Sequence, residues 1–239
     1  MRLSRFFIDA PLSLGEHTLP EAQAHYIARV LRMTEGQALQ VFDGSGHEYR
    51  GTLLEVGKKQ VRVQLDEPFA GQPESTLRIH LGQGLSRGER MDWAIQKATE
   101  LGVAEITPIV SERCEVRLKD ERAQKRQDHW QQIAISACEQ CGRSVVPVIH
   151  PPQPLADWLK QTQADLKLVL HPVAEPLSSH PAPTTLAFLI GPEGGLSDQE
   201  VEQAKACGYH AARLGPRVLR TETAPVVALS VAQQLWGDF

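Results

Sequence analysis

Residues 186–235 read LAFLIGPEGGLSDQEVEQAKACGYHAARLGPRVLRTETAPVVALSVAQQL, and this stretch decides the fold class. The run 186–190 is short and wholly apolar, as in a strand buried on both faces of a parallel sheet. It stops at Gly191-Pro192-Glu193-Gly194-Gly195, where the glycines permit positive φ and close backbone approach, so the chain leaves the sheet in a loop able to wrap a flat ligand. Ser197, followed three residues on by Glu200, is a capping-box pattern that opens a helix with Val201, Ala204 and Cys207 or Gly208 toward the core. The pattern then repeats. Residues 211–214 form a second strand and 215–223 a second loop. A last helix carries Pro225 in its first turn and Ala224, Val227, Ala228, Val231 and Leu235 on one face. Two ligand-type loops at the carboxyl ends of neighbouring strands make a crevice, which is where open α/β sheets bind small molecules.

The chain is 239 residues long, 41% hydrophobic and 23% charged, which is ordinary globular composition and enough for one generous core or two smaller ones. No apolar run is long enough to span a bilayer. The amino-terminal residues carry neither a long apolar region nor a small-residue cleavage site, so a cytoplasmic protein is expected. A net charge of -4 excludes bulk polycationic attraction to nucleic acid but leaves local arginine patches open. Cys138 and Cys141 have C-x-x-C spacing, a redox or metal signal. Both fall on the apolar face of a predicted helix with no second pair to complete a site, so buried small hydrophobes are the better reading and no metal is expected.

Residues 1–72 differ from the rest. Strand-like segments at 3–8, 37–42, 47–54 and 60–65, turn signals at 43–46 and 57–59, and one helical segment at 21–31 suggest a small barrel, with a linker near 69–75. Residues 73–239 then form the second domain. Arg2, Arg5, Arg29 and Arg32 mark the first module; guanidinium groups fork onto phosphate and stack on bases, although solvated surface arginines read the same way.

In the second module, 76–81 is a strand leading into Gly82-Gln83-Gly84. A helix then aligns Met91, Ala94, Ile95, Ala98 and Leu101 and stops at Gly102. A strand follows at 105–110, and a helix at 120–141 aligns Trp130, Ile133, Ala134, Ala137, Cys138 and Cys141. Strands at 145–149 and 166–170 flank a short helix at 155–160. The alternation argues for a mostly parallel sheet. His171-Pro172 gives a third loop near the crevice. Arg87 and Arg90 face solvent or RNA, and Arg143 is either a satisfied helix-terminal charge or a substrate-facing group. The phosphate-binding and zinc-protease fingerprints are absent, and a lone G-x-G is weak evidence for a dinucleotide site.

Several segments in one order carry a resemblance: Ser4-Arg5-Phe6-Phe7, His25 with Val30-Leu31-Arg32, Gln96-Lys97-Ala98-Thr99-Glu100-Leu101-Gly102, Glu139-Gln140-Cys141-Gly142-Arg143, Gly191 to Gly195, and Leu214 to Ala224. Over essentially its whole length the chain resembles the bacterial 16S ribosomal RNA (uracil-N3) methyltransferases of the RsmE family, within the SPOUT class. The resemblance implies an α/β SPOUT methyltransferase domain with a deep carboxyl-terminal trefoil knot, preceded by a small PUA-like β-barrel that binds RNA. It also implies a homodimer and S-adenosylmethionine (S-adenosyl-L-methionine) as cofactor. Carried over residue by residue, the cofactor shell is Leu170, His171, Gly191, Pro192, Glu193, Gly195, Leu214, Gly215, Val218, Leu219 and Thr221. The partner it implies is 16S rRNA within the small ribosomal subunit, gripped by Arg2, Arg5, Arg29, Arg32, Arg87, Arg90 and Arg143.

Methylating a uracil N3 requires in-line approach, an unpaired base and loss of the imide proton. Arg220 is the expected stabiliser of charge developing on the uracil oxygens, and Glu222 holds Arg220 or a cofactor donor, or takes the proton; Glu193 is the other candidate base. A ribose 2′-O methyltransferase, or an assembly factor that binds RNA without turnover, would share most of these features.

Overall fold

In a computed structural model the described residues are 3–57, 60–116 and 120–239. They form two compact units. The first comprises residues 1–74 and 138–146, the second 75–137 and 147–239.

The first unit is built on a five-stranded sheet. Its strands are β1 (Arg5–Phe7), β2 (Gly15–Thr18), β3 (Ala38–Phe42), β4 (His47–Val56) and β5 (Val61–Ala70), in the order β1-β3-β4-β5-β2. All pairings are antiparallel except β1 with β3. Alternation puts Val61, Val63 and Leu65 of β5 inward to meet Leu39, Val41 and Leu53, with Ala24 and Ile27 closing the core. The helical segment divides: α1 (Glu21–His25) passes into a π-helical turn (Tyr26–Val30), and Arg32 beyond it has φ 52°. Strand β5 also runs through Phe69, further than its apolar pattern shows, because Glu67, Pro68 and Phe69 keep pairing with β4.

The second unit holds a seven-stranded parallel sheet: β6 (Arg78–Gly84), β7 (Glu105–Val110), β8 (Val148–Ile149), β9 (Gln153–Pro154), β10 (Leu166–Pro176), β11 (Thr185–Ile190) and β12 (His210–Arg213). Its order is β12-β10-β11-β6-β7-β8, with β9 also on β7. Helices α2 (Glu89–Glu100), α4 (Leu155–Gln161), α5 (Asp198–Ala206) and α6 (Thr223–Trp236) complete it, with α3 (Asp120–Cys141) as far as residue 137. The α5 capping box is present, with Ser197 Oγ accepting from the Glu200 amide and Glu200 Oε2 from the Ser197 amide. Gly82 carries no side chain because a Cβ there would sit 2.5 Å from the Trp158 ring, and at Gly84 it would sit 2.3 Å from Pro192 N. The G-x-G pair thus serves close packing rather than phosphate binding.

Two faces differ from the sequence pattern. On α6 the buried residues are Ala224, Pro225, Ala228, Leu229, Ala232 and Gln233, whereas Leu235 is 41% exposed. Gln233 reaches the Leu101 carbonyl and accepts from Ser75, so the helix turns its small residues inward. Strand β10 continues through His171 and Pro172, where a loop is expected from sequence, with its β12 register shifting between Leu170 and Glu175. The four cysteines carry free thiols; Cys138 is buried, which pushes its thiol up to about 12, whereas Cys141 is only partly buried. Among the described residues no helix is long and apolar enough to cross a membrane.

Candidate active site

Strands β12, β10 and β11 are neighbours, and the segments that follow β12 and β11, with the irregular stretch of β10 at 170–172, surround one cavity of about 680 Å³. Leu170, His171, Gly191, Pro192, Glu193, Gly195, Leu214, Gly215, Val218, Leu219 and Thr221 all line it, and so do Arg220 and Glu222. Apolar side chains and glycine backbone dominate the wall, while charge gathers in Arg90, Arg213, Arg217, Arg220, Glu193 and Glu222. Such a surface suits a flat, mixed-polarity ligand held by main-chain groups, and its volume lies within the roughly 300–1,000 Å³ of small-molecule sites.

The loops are joined by one buried side chain. Thr221 Oγ1 donates to the Gly191 carbonyl at 2.8 Å and accepts from Gln83 Nε2 at 3.0 Å. Ser86 Oγ lies 3.4 Å from the same hydroxyl. Gln83 is 1% exposed, and its Oε1 has no hydrogen-bond partner among the described residues. Sequence reasoning missed Gln83 and Ser86. The only signal was their place beside two glycines at a strand end, which the absent dinucleotide motif made easy to discount.

At the rim, Arg90 Nη1 bonds Glu193 Oε1 at 3.0 Å, and its Nε lies 4.0 Å from Glu222. Burial raises the Glu193 carboxyl, but amide hydrogen bonds, including that from Arg87 N–H, and the Arg90 guanidinium outweigh it and hold Glu193 below its ordinary range. That disfavours Glu193 as the proton acceptor. Among the described residues Glu222 approaches Arg90 and forms no ion pair with Arg220, which was one of the roles open to it. Arg220 is exposed and makes no ion pair among the described residues. Arg213 and Arg217, not singled out from sequence, also reach the cavity.

The arginines expected to grip RNA separate. Arg29 and Arg32 are exposed and line one shallow pocket in the first unit with Met33 and Val56. Arg87 is exposed and pairs with Glu115 at 2.8 Å. Arg2 lies outside the described residues. Arg5 and Arg143 are buried, at 9% and 8% exposure. Within the first unit Arg5 pairs with Glu48 at 2.6 Å, donates to the Cys138 and Arg143 carbonyls and lies over the Phe42 ring. Arg143 forks onto Glu74, with Nε 3.1 Å from Oε1. Burial and these inward hydrogen bonds give Arg5 a structural role in place of RNA contact, and favour the satisfied-charge reading of Arg143.

Residues 73–233 match the family model described as RNA methyltransferase domain, and residues 19–66 match the RNA methyltransferase PUA domain. The fold and cavity therefore define an α/β RNA methyltransferase. The ribosomal RNA small subunit methyltransferase E of Buchnera aphidicola (strain APS) is 34% identical, with 100% of this chain and 96% of the relative aligned. That of Bacillus subtilis is 32% identical over 95% of each chain. The chain belongs to the ribosomal RNA small subunit methyltransferase E (RsmE) family. A Legionella pneumophila methyltransferase solved with the bound cofactor SAM is similar at TM-score 0.98 and 40% identity, with both chains fully covered. The Neisseria gonorrhoeae family member bound to S-adenosyl methionine has TM-score 0.94 and 38% identity, again over 100% of both chains.

Proposed function

We propose that this chain transfers a methyl group from S-adenosylmethionine to N3 of a uridine in 16S rRNA. The observation that carries the reading is one cavity beside three neighbouring strands, where glycine loops follow two of them, the walls are largely apolar and Arg220 makes no ion pair among the described residues. Family membership supports the reaction class.

When bound, the cofactor supplies an electrophilic methyl group on a sulfonium. Leu170, Leu214 and Leu219 exclude water from around it, and the main-chain groups at Gly191, Gly195 and Gly215 provide donors and acceptors without side-chain bulk. Thr221 sets the spacing of the two loops through Gly191. Arg220, at the mouth, takes the negative charge that develops on the uracil carbonyl oxygens as the N3 proton leaves. Glu222, whose side chain is 19% exposed, is the carboxylate placed to orient Arg90 or to accept that proton. Arg29 and Arg32 on the first unit, and Arg87 and Arg90 on the second, hold rRNA phosphates.

The proposal extends to architecture: a PUA-like barrel within residues 1–72, a methyltransferase domain over 73–239, a trefoil knot and a homodimer. The chain path supports the knot. After β12, at the sheet edge, the chain returns past the 191–195 loop so that α6 packs on α2 beside β6, with Gln233 bonded to Leu101.

Nucleoside analysis of small-subunit rRNA incubated with the protein and labelled S-adenosylmethionine tests the reaction. 3-methyluridine is expected, and a methyl group on ribose overturns the assignment. Calorimetry with S-adenosylmethionine separates the reading from a non-catalytic assembly factor, which would show no binding. Sedimentation checks the dimer.

A further inference from the structure

At the opposite end of the parallel sheet, three donor side chains converge. His80 on β6 and Glu105 at the start of β7 are direct register partners. His150 follows β8, anchored by its amide to the Ile106 carbonyl at 2.9 Å. One ligand atom from each falls within 4.8 Å of the other two. The cavity occupies the carboxyl ends of the strands and shares none of these residues.

We propose that His80, Glu105 and His150 bind a divalent transition-metal ion of the zinc class, with water completing the coordination. Two imidazoles and one carboxylate are a borderline-soft set that zinc accepts in tetrahedral geometry, whereas calcium and magnesium prefer all-oxygen shells. Bonds of about 2.0–2.2 Å place tetrahedral donors roughly 3.4 Å apart. The His150 Nε2 to Glu105 Oε2 separation of 2.8 Å opens slightly to reach that, and the remaining donors close by side-chain adjustment.

Neighbouring groups steady the donors. Arg78 lies 3.7 Å from Glu105 Oε1, leaving Oε2 toward His150. The Thr107 hydroxyl, 2.8 Å from His80 Nε2, can donate or accept and so accommodates either tautomer of that ring. The Trp158 indole, edge-on to His80, brings its Nε1 to 3.5 Å from the same His80 Nε2, which leaves Nδ1 as the nitrogen open to an ion. Metal ligands are commonly oriented by such outer hydrogen bonds. His150 and Glu105 side chains are 35% and 34% exposed, which gives the ion an entry path. The donors come from two adjacent strands and the residue just after the next one, so the ion would pin the amino end of the sheet independently of methyl transfer.

Untagged, chelator-stripped full-length protein titrated with Co²⁺ and then Zn²⁺ tests the proposal. One equivalent of Zn²⁺ per chain is expected, displacing Co²⁺ that shows the visible absorption of a four-coordinate site. His150→Ala and Glu105→Gln should each weaken Zn²⁺ at least tenfold and abolish its effect on the melting temperature, with S-adenosylmethionine binding unchanged as the check on folding. Glu105→Gln keeps side-chain shape and is decisive if His150→Ala does not fold. Cys114→Ser and Cys207→Ser should leave the affinity unchanged. No stoichiometric binding, equal affinity in the histidine and glutamate variants, or loss of binding in the cysteine variants overturns the site.

Discussion

Thr221 Oγ1 donates to the carbonyl of Gly191 at 2.8 Å across 30 residues of sequence, and this bond joins the two loops that face each other over the cavity. The same hydroxyl accepts from Gln83, so one side chain serves three elements. Thr221→Val keeps the shape and removes the hydroxyl, leaving a buried amide and a carbonyl short of a partner. A loss of about 1–3 kcal/mol is expected, which for a chain of this size lowers the melting temperature by about 2–4 °C per kcal/mol. S-adenosylmethionine affinity should fall with it. Thr221→Ser should restore both, and calorimetry beside thermal unfolding makes the comparison.

Arg220 lines the cavity yet pairs with no carboxylate among the described residues, in contrast to Arg90, which pairs with Glu193. Arg220→Ala should lower turnover by about 10²–10³-fold, as for loss of one donor to a developing anion. Cofactor affinity should stay within about twofold, since truncating a charge that acts only on the developing anion leaves ground-state binding intact. Single-turnover assays beside cofactor titration separate the two; an equal loss of affinity would move Arg220 into the cofactor shell.

Arg5 and Arg29 should fail in opposite ways. Arg5→Ala leaves Glu48 buried at 4% exposure without its cation, so a stability loss of about 3–5 kcal/mol is expected. Arg29→Ala changes an exposed side chain and should leave stability within about 0.5 kcal/mol, while reducing rRNA affinity and the salt slope of binding by about one. Denaturant unfolding and filter binding at several salt concentrations distinguish them.

Asp165 is held at about 2, chiefly by the Thr184 hydroxyl and then by the amides of Thr184 and Thr185, against an ordinary value of 3.8. A depressed carboxyl stabilises the fold above its unfolded value and loses that contribution as pH falls toward its folded one. Between about pH 4 and pH 2 the wild type should therefore lose stability faster than Asp165→Asn. Acid-induced unfolding followed by circular dichroism measures the difference; parallel curves would show that these bonds confer no acid sensitivity.

Legibility followed range. The capping box at Ser197 and Glu200 spans one helical turn and was plain, as were the inward apolar run of β11 and the alternation of strands and helices that makes the sheet parallel. The cavity loops were legible from the run Gly191-Pro192-Glu193-Gly194-Gly195 after an apolar strand, whereas Gly82 and Gly84 at the end of β6 serve close packing. The face of α6 was misjudged at Leu235, since periodicity alone does not distinguish a stripe of alanines against α2 from a neighbouring stripe of larger residues.

The sequence by itself determined the α/β class, the loops that meet at the crevice and the family, because each rests on local propensity, short-range pattern or extended similarity. Only the tertiary structure decided which arginines are available to a ligand. Arg5 and Arg143 look like surface cations until the chain brings residues 138–144 onto β1 and β4, and burial then commits their charge to Glu48 and Glu74. It likewise placed Gln83 against Thr221, 138 residues away, and gathered His80, Glu105 and His150 from β6, β7 and the residue after β8. Such encounters depend on strand order and crossover path, which no spacing along the chain encodes.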